Sequence, residues 1–410
     1  MMRRDGRPRR ILFVQRTGGG GSLIHVLMLV KNLDREFFSP IVLFYGPNPY
    51  ETEFRKVGAE VRILNSAVSV RSLSKLIPGG LRSEGGSRRR FRAARRLNGF
   101  IQRDWPLAHR IAEVIRDVGA DLVQSNICPS ADRATILAAG LVRVPQISYS
   151  QFFTADEEWL DRPLSMFVER YLCVSEAIRA HLRSAARIPE GKTRVAYGPF
   201  EFPADPIPPA PASVREGLGV NGQHVLIANV GRIVPWKGQD VFLKAFATIA
   251  DHHPEARALV VGGPGDKNVG RTYEVELRRL VSDLGLGERV IFTGHRRDID
   301  DVMAASDVIV HSSSQPEPLG RVVMEAIALA KPVIATGAGG VSEMVDDGVT
   351  GSLVPPGDAE AMAKALELVL TNPTRAAAMA TRARAAAKDR FSTRTFVRLM
   401  ESEYRRVLGV

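Results

Sequence analysis

The chain has 410 residues, 45% of them apolar, which suffices for two domains that each bury a core. A formal net charge of +11 favours anionic partners. The two cysteines, Cys128 and Cys173, stand far apart and exclude a disulfide framework or a cysteine zinc site. No apolar run approaches the roughly 18 residues that span a bilayer. The basic start MMRRDGRPRR leads into Ile11–Val14, too short for the apolar stretch of a signal peptide, so a cytoplasmic protein is expected.

Ile11 to Val14 read as a first buried strand. Thr17 to Ser22 then form a glycine-rich turn into a helix with Leu23, Val26, Leu27, Val30 and Leu33 on its apolar side. Such a turn lets backbone N–H groups approach a phosphate closely. The G-x-G-x-x-G dinucleotide fingerprint is not completed, because Leu23 stands where the last glycine belongs. His25 reads as a packed helix residue. Strands at 41–44 and 61–64 continue the alternation.

From Arg71 to Arg110 the pattern changes. Arg82, Arg88, Arg89, Arg90, Arg92, Arg95, Arg96, Arg103 and Arg110 face only Glu84 and Asp104 as acids, with Leu97, Phe100, Ile101 and Trp105 interleaved. Two readings weigh equally: contact with an anionic membrane surface or acceptor, and a solvated basic loop and helix. No recognised nucleic-acid module accompanies the arginines, so no nucleic-acid partner is expected. Strands at 122–125, 146–149 and 172–175 follow. Prolines at 199, 203, 206, 208, 209 and 211 forbid regular structure and read as a linker over 201–212, between domains at 1–200 and 213–390.

The second domain opens with strand Val225–Val230, which Gly231 ends. Arg232 and Lys237 follow at a spacing that lets both converge on a diphosphate, one as a fork and one as a point charge. A strand at 258–261 runs into Gly262-Gly263-Pro264-Gly265, and one at 290–293 into Gly294-His295-Arg296. Asp298-Ile299-Asp300 spells D-x-D but reads as a helix cap, and no metal site is expected. Val308–Val310 then stops at a polar cluster followed by Glu317. Pro318-Leu319-Gly320 opens a helix carrying Glu325, and the backbone N–H groups at this helix start suit an anion. Val333–Ala335 runs into the turn Gly337–Gly340. Successive βα junctions mark parallel sheets, with ligands at the carboxyl ends of strands. The chain ends in amphipathic helices at 359–370, 375–389 and 391–408.

The stretch SQPEPLGRVVMEAIALAKPVIAT, followed by GGVSEMVDDGVTGSLVPPGD, resembles the E-x7-E signature of family 4 retaining glycosyltransferases, the glycosyl transferases of group 1. That resemblance implies an α/β GT-B fold: two Rossmann-like doubly wound parallel-sheet domains facing a central cleft, with the closing helix (391–410) crossing back onto the first domain. It implies a nucleoside-diphosphate sugar as donor substrate, no cofactor, and a glycan or lipid-linked acceptor. It assigns Glu317 to the sugar hydroxyls, Glu325 to the nucleotide ribose, and Arg232 and Lys237 to the leaving diphosphate. Gly231, Leu319 and Gly320 border the nucleotide, the main chain of Gly294, His295 and Arg296 holds the base, and Gly20 and Gly21 face donor phosphate and acceptor. Relatives usually carry a histidine where this chain has Asn126, and often another where it has Ser150-Gln151; Asn126 is the catalytic candidate there, able to hydrogen-bond but not to act as acid or base. Two alternatives remain open: a nucleotide-sugar-binding regulator without transfer, and a nucleotide-sugar epimerase of the same fold.

Overall fold

A computed structural model describes residues 6–16, 20–64, 99–153, 161–265 and 268–410. They divide into two compact units, one of Met1–Val174, Ile178–Ala196 and Phe396–Val410, the other of Ser175–Ala177 and Tyr197–Thr395.

The first unit is built on a seven-stranded sheet in the order β3-β2-β1-β4-β5-β6-β7. Its strands are β1 (Arg9–Gln15), β2 (Phe38–Phe44), β3 (Glu60–Ile63), β4 (Leu122–Ser125), β5 (Gln146–Ser150), β6 (Arg170–Cys173) and β7 (Thr193–Val195). All pairings are parallel. Strands covered on both faces are predominantly apolar rather than alternating, as in β1, where Ile11, Leu12 and Phe13 are fully buried. The order turns back between β1 and β4. That switch point leaves a crevice beyond the strands' carboxyl ends.

The last helix, Thr393–Leu408, supplies core to this first unit. Its apolar side carries Phe396 and Tyr404, whose rings lie 5.4 Å from Tyr149 and 5.6 Å from Phe38. Glu403, 1% exposed, is held by Arg170 at 2.9 Å and Arg194 at 2.6 Å. A buried carboxylate needs such partners, because desolvation of an unpaired one is prohibitive.

The second unit repeats the plan with six parallel strands in the order β10-β9-β8-β11-β12-β13. They are β8 (Val225–Val230), β9 (Ala256–Val261), β10 (Val290–Gly294), β11 (Val308–His311), β12 (Val333–Thr336) and β13 (Ser352–Val354), and the switch point lies between β8 and β11. Helix Gln239–Ala250 buries Phe242, Leu243 and Phe246 against Ile227, Ala258 and Val260. Each such side chain contributes about 1.5–3 kcal/mol by leaving water.

Strands β7 and β13 are not anticipated by periodicity, since three residues are too few to display a period. The proline-rich stretch read as a linker has no helix or strand over 201–211, and its path is held by side-chain bonds. Arg384 donates to the Pro203 carbonyl and the Asp205 carboxylate, both at 2.7 Å, and Lys388 to Asp205 at 2.8 Å. Prolines exclude regular structure without excluding a fixed path. Among the described residues no helix is long and apolar enough to cross a membrane.

Candidate functional site

At the switch point of the second unit, β8 ends at Val230 and the chain makes two turns before helix Gln239–Ala250. The second turn requires Gly238: its φ is 65°, and a Cβ there would stand 2.1 Å from the Ser312 carbonyl oxygen. This close approach seats Lys237 against the loop after β11. Asn229 donates to the Val310 carbonyl and the Ser312 hydroxyl, both at 2.9 Å, and Ser312 donates to the Lys237 carbonyl at 2.9 Å.

Lys237 Nζ lies 2.6 Å from Glu317 Oε1 and 4.6 Å from the Trp236 ring centroid. His311 Nε2 reaches the same oxygen at 2.7 Å, and the Ser313 hydroxyl donates to it as well. Burial alone would raise the Glu317 carboxyl. Hydrogen bonds from His311 and Lys237, together with the charge of the Lys237 ammonium, outweigh it and hold the group below the usual carboxylate range. Glu317 is therefore a buried, ionised carboxylate.

Behind it the backbone is clamped to the turn after β12. The Gly340 N–H donates to the Glu317 carbonyl at 2.9 Å. A Cβ on Gly339, where φ is 66°, would come 2.2 Å from that carbonyl oxygen, so only glycine fits. The helix expected to open at Pro318 begins at Arg321, with Gly320 as its N-cap and Leu319 buried just before it. Glu325 sits one turn in and accepts from Arg321 at 2.9 Å. Burial raises its carboxyl, opposed by Arg321 and, further off, by Lys237.

The remaining candidates of this unit line the same edge less closely. Gly231 begins the turn beyond β8, next to the Lys237 stem. Arg232 is exposed; its carbonyl accepts from Gln239 at 3.0 Å. Gly294 ends β10 and accepts from the Gly262 N–H at 3.1 Å, and His295 beyond it is exposed. Arg296 pairs with Asp298 through both Nε, at 2.8 Å, and Nη2. Asp298 stands at the N-cap of helix Ile299–Ala305 and Asp300 and Asp301 lie in its first turn, as expected for carboxylates at the positive end, but the Asp298 carboxylate bonds Arg296 and not a backbone N–H. Among the described residues no cluster of His, Cys, Asp or Glu could hold a metal ion.

In the first unit Gly20 is exposed and precedes helix Gly21–Asn32; Thr17–Gly19 lie outside the described residues. His25 is 5% exposed, a packed residue with its ring 6.3 Å from Tyr149. Asn126, just beyond β4, is fully buried. Its Nδ2 donates to the Val14 carbonyl at 3.2 Å and the Gln124 carbonyl at 3.3 Å, and its Oδ1 accepts from Gln124 at 2.6 Å. Gln124 in turn accepts from the Tyr404 hydroxyl. In this arrangement the Asn126 amide is spent on the sheet edge. Gln15, at the end of β1 and 1% exposed, has neither side-chain nitrogen nor oxygen bonded, and Gln151 Oε1 is also unpaired. Among the described residues, both side chains thus keep hydrogen-bonding capacity close to the carboxyl ends of β1 and β5. Asp132 pins the loop by accepting from the Ile127 N–H at 2.9 Å, and burial pushes its carboxyl up to about 7 against that bond and Arg16.

The basic segment is only partly in view. Arg82 to Arg96 and Leu97 lie outside the described residues. Of its apolar members, Ile101 is 54% and Trp105 42% exposed.

Sequence reasoning missed His311, Ser313, Thr336 and Gln15. For Gln15, His311 and Thr336 the available signal was a polar residue closing an otherwise apolar strand, in FVQ, VIVH and VIAT; Ser313 carried none.

Residues 212–386 match the profile of the family described as glycosyl transferases group 1. Over 200 residues the chain is 36% identical to the GDP-mannose-dependent alpha-(1-6)-phosphatidylinositol monomannoside mannosyltransferase of Mycolicibacterium smegmatis, covering 46% of this chain and 50% of that one. It is 38% identical over 176 residues to the D-inositol 3-phosphate glycosyltransferase of Rhodococcus jostii, covering 42% of this chain and 38% of that one. The chain thus spans half or less of the length of these curated relatives. Among solved structures, Anabaena Alr3699/HepE in complex with UDP and glucose superposes with a TM-score of 0.75 at 25% identity, over 96% of this chain and 98% of that one. A glycosyltransferase from Rickettsia africae gives 0.79 at 22% identity, over 98% and 99%.

Proposed function

From the premise that residues 212–386 belong to the glycosyl transferases group 1 family, on a chain with the GT-B fold, we propose that the protein transfers a sugar from a nucleoside-diphosphate sugar to a hydroxyl acceptor. In this reading the transfer retains anomeric configuration and proceeds without a metal ion or cofactor. The carrying observation is the Lys237–Glu317 pair beside the helix start at Gly320, at the switch point of the second sheet. Positive charge there comes from Lys237, Arg232 and backbone N–H groups, and stabilises the diphosphate as negative charge develops on its leaving oxygen. Glu317 Oε1 is occupied by three donors, and Oε2 takes a hydroxyl of the donor sugar. Glu325 bonds the ribose. Gln15 and Gln151 offer the acceptor's hydroxyls the hydrogen bonds that Asn126 does not.

A relative acts with GDP-mannose by its name, and a structural neighbour is known with UDP-glucose, so both donors belong in the test. Calorimetric titration with UDP-glucose and GDP-mannose, then NMR of the released sugar or product, is expected to show binding of one donor and a retained anomer. Turnover persisting in EDTA is expected too. Failure of both donors to bind refutes the reading. A binder without transfer is the second reading, favoured by the engaged Asn126; slow hydrolysis of bound donor excludes it.

For the acceptor we propose a lipid-linked or other glycan, reached from the inner face of an anionic membrane. The exposed Ile101 and Trp105, beside Arg103 and Arg110, support this, since apolar side chains enter the acyl boundary while arginine heads meet phosphates. Sedimentation with anionic but not neutral vesicles, weakened by salt, is the expected outcome; equal negligible binding to both removes the membrane.

A further inference from the structure

His311 closes β11 and is 4% exposed, yet both ring nitrogens are engaged. Nε2 lies 2.7 Å from Glu317 Oε1 and Nδ1 3.1 Å from the hydroxyl of Thr336, the last residue of β12. An ionised carboxylate oxygen only accepts, so Nε2 must carry a proton. The Thr336 hydroxyl can donate to Nδ1, which then needs no proton of its own. The two adjacent strand ends thereby fix one ring orientation, and with Thr336 as the donor they leave Nδ1 bare.

We propose that His311, held as its Nε2–H tautomer by Thr336, is the positioning residue that keeps Glu317 in place when the donor arrives. The functional half of this inference rests on the glycosyltransferase reading above. Lys237 is the one shared partner: it bonds Glu317 Oε1, and a donor diphosphate competes for it. A carboxylate held by Lys237 alone would follow the ammonium or lose its aim. His311 and Ser313 make no such exchange, because His311 is anchored from behind by Thr336 and Ser313 is 1% exposed. They keep Oε1 fixed, and Oε2 stays directed at the sugar.

The test uses the full chain with histidine nitrogens labelled. In long-range NMR spectra at neutral pH, the His311 signals, identified by their loss in His311→Gln, should show a protonated Nε2 and a bare Nδ1. Thr336→Val, which removes the hydroxyl at nearly constant volume, should abolish that single state while Thr336→Ser retains it. An imidazolium, or an Nδ1–H tautomer, in the wild type overturns the proposal whatever the donor proves to be. Turnover is then measured with whichever of UDP-glucose and GDP-mannose the wild type uses. His311→Leu and Thr336→Val should lower kcat by about tenfold or more, with affinity for the free diphosphate changed by less than about twofold. His311→Gln, whose amide nitrogen stands where Nε2 does, should recover most of the loss. Equal losses in diphosphate affinity and kcat, or no loss in either, overturn the positioning role. If the wild type binds neither donor, the glycosyltransferase reading fails, and the tautomer measurement still decides the cradle.

Discussion

Glu317 is the residue on which the second unit converges, and its surroundings separate roles that sequence spacing cannot. Lys237→Ala should weaken binding of the free nucleoside diphosphate by about 2–3 kcal/mol, the value of a charge-assisted contact to a shielded phosphate. Calorimetry reads this directly. Glu317→Gln should leave free-diphosphate affinity intact while lowering turnover with the complete donor. Glu325→Gln should do the reverse, because its expected partner is the ribose. Matching affinity losses in both glutamate variants would refute the division of labour. Arg232 is exposed, so Arg232→Ala is expected to cost less affinity than Lys237→Ala.

At the scale of elements, the loop after β4 and the closing helix carry the sharpest consequences. Asp132 is buried, with its carboxyl raised to about 7, so the native chain holds that proton more tightly than the unfolded one. Between roughly pH 4 and pH 7 the native state binds more protons, and stability falls with rising pH by at most about 1.4 kcal/mol per unit. The contribution is fully present below the unfolded carboxylate range and lost as pH passes 7. Asp132→Asn should flatten this part of the stability curve, measured by denaturant unfolding at several pH values. An unchanged slope would show that the carboxyl titrates normally. In helix Thr393–Leu408, Glu403→Ala strands Arg170 and should cost about 3–5 kcal/mol. A shift in thermal midpoint close to zero would contradict the ion-pair account.

Across the whole molecule, the same doubly wound plan occurs twice, yet the family profile matches only one of the two units. The family profile covers 212–386, in the unit that carries Lys237, Glu317 and Glu325, and leaves the first unit outside it. Saturation with the correct nucleoside diphosphate, at about a hundred times its dissociation constant, should add about 2.7 kcal/mol of stability. Hydrogen exchange should locate the added protection in the loops after β8 and β11. Protection confined to the first unit would move the nucleotide site.

Much of this was legible in the chain itself. Buried strands such as Val225–Val230 and Val308–His311 announce themselves as short apolar runs, because a parallel sheet covered on both faces admits little else. The glycine turns and the Glu317-to-Glu325 spacing could be read as well, since they depend on neighbours a few residues apart. What only tertiary structure decided lies across long separations. Lys237 and Glu317 are 80 positions apart, Thr336 and His311 25, and Tyr404 and Gln124 280. No local periodicity reports which polar residue at one strand end will face which at the next. The sheet order sets that, by bringing β11 between β8 and β12 and packing the last helix where Tyr404 reaches the end of β4. The same ordering spends Asn126 on the sheet edge and leaves Gln15 unpaired, because hydrogen-bond capacity is a property of the assembled crevice and not of the residue.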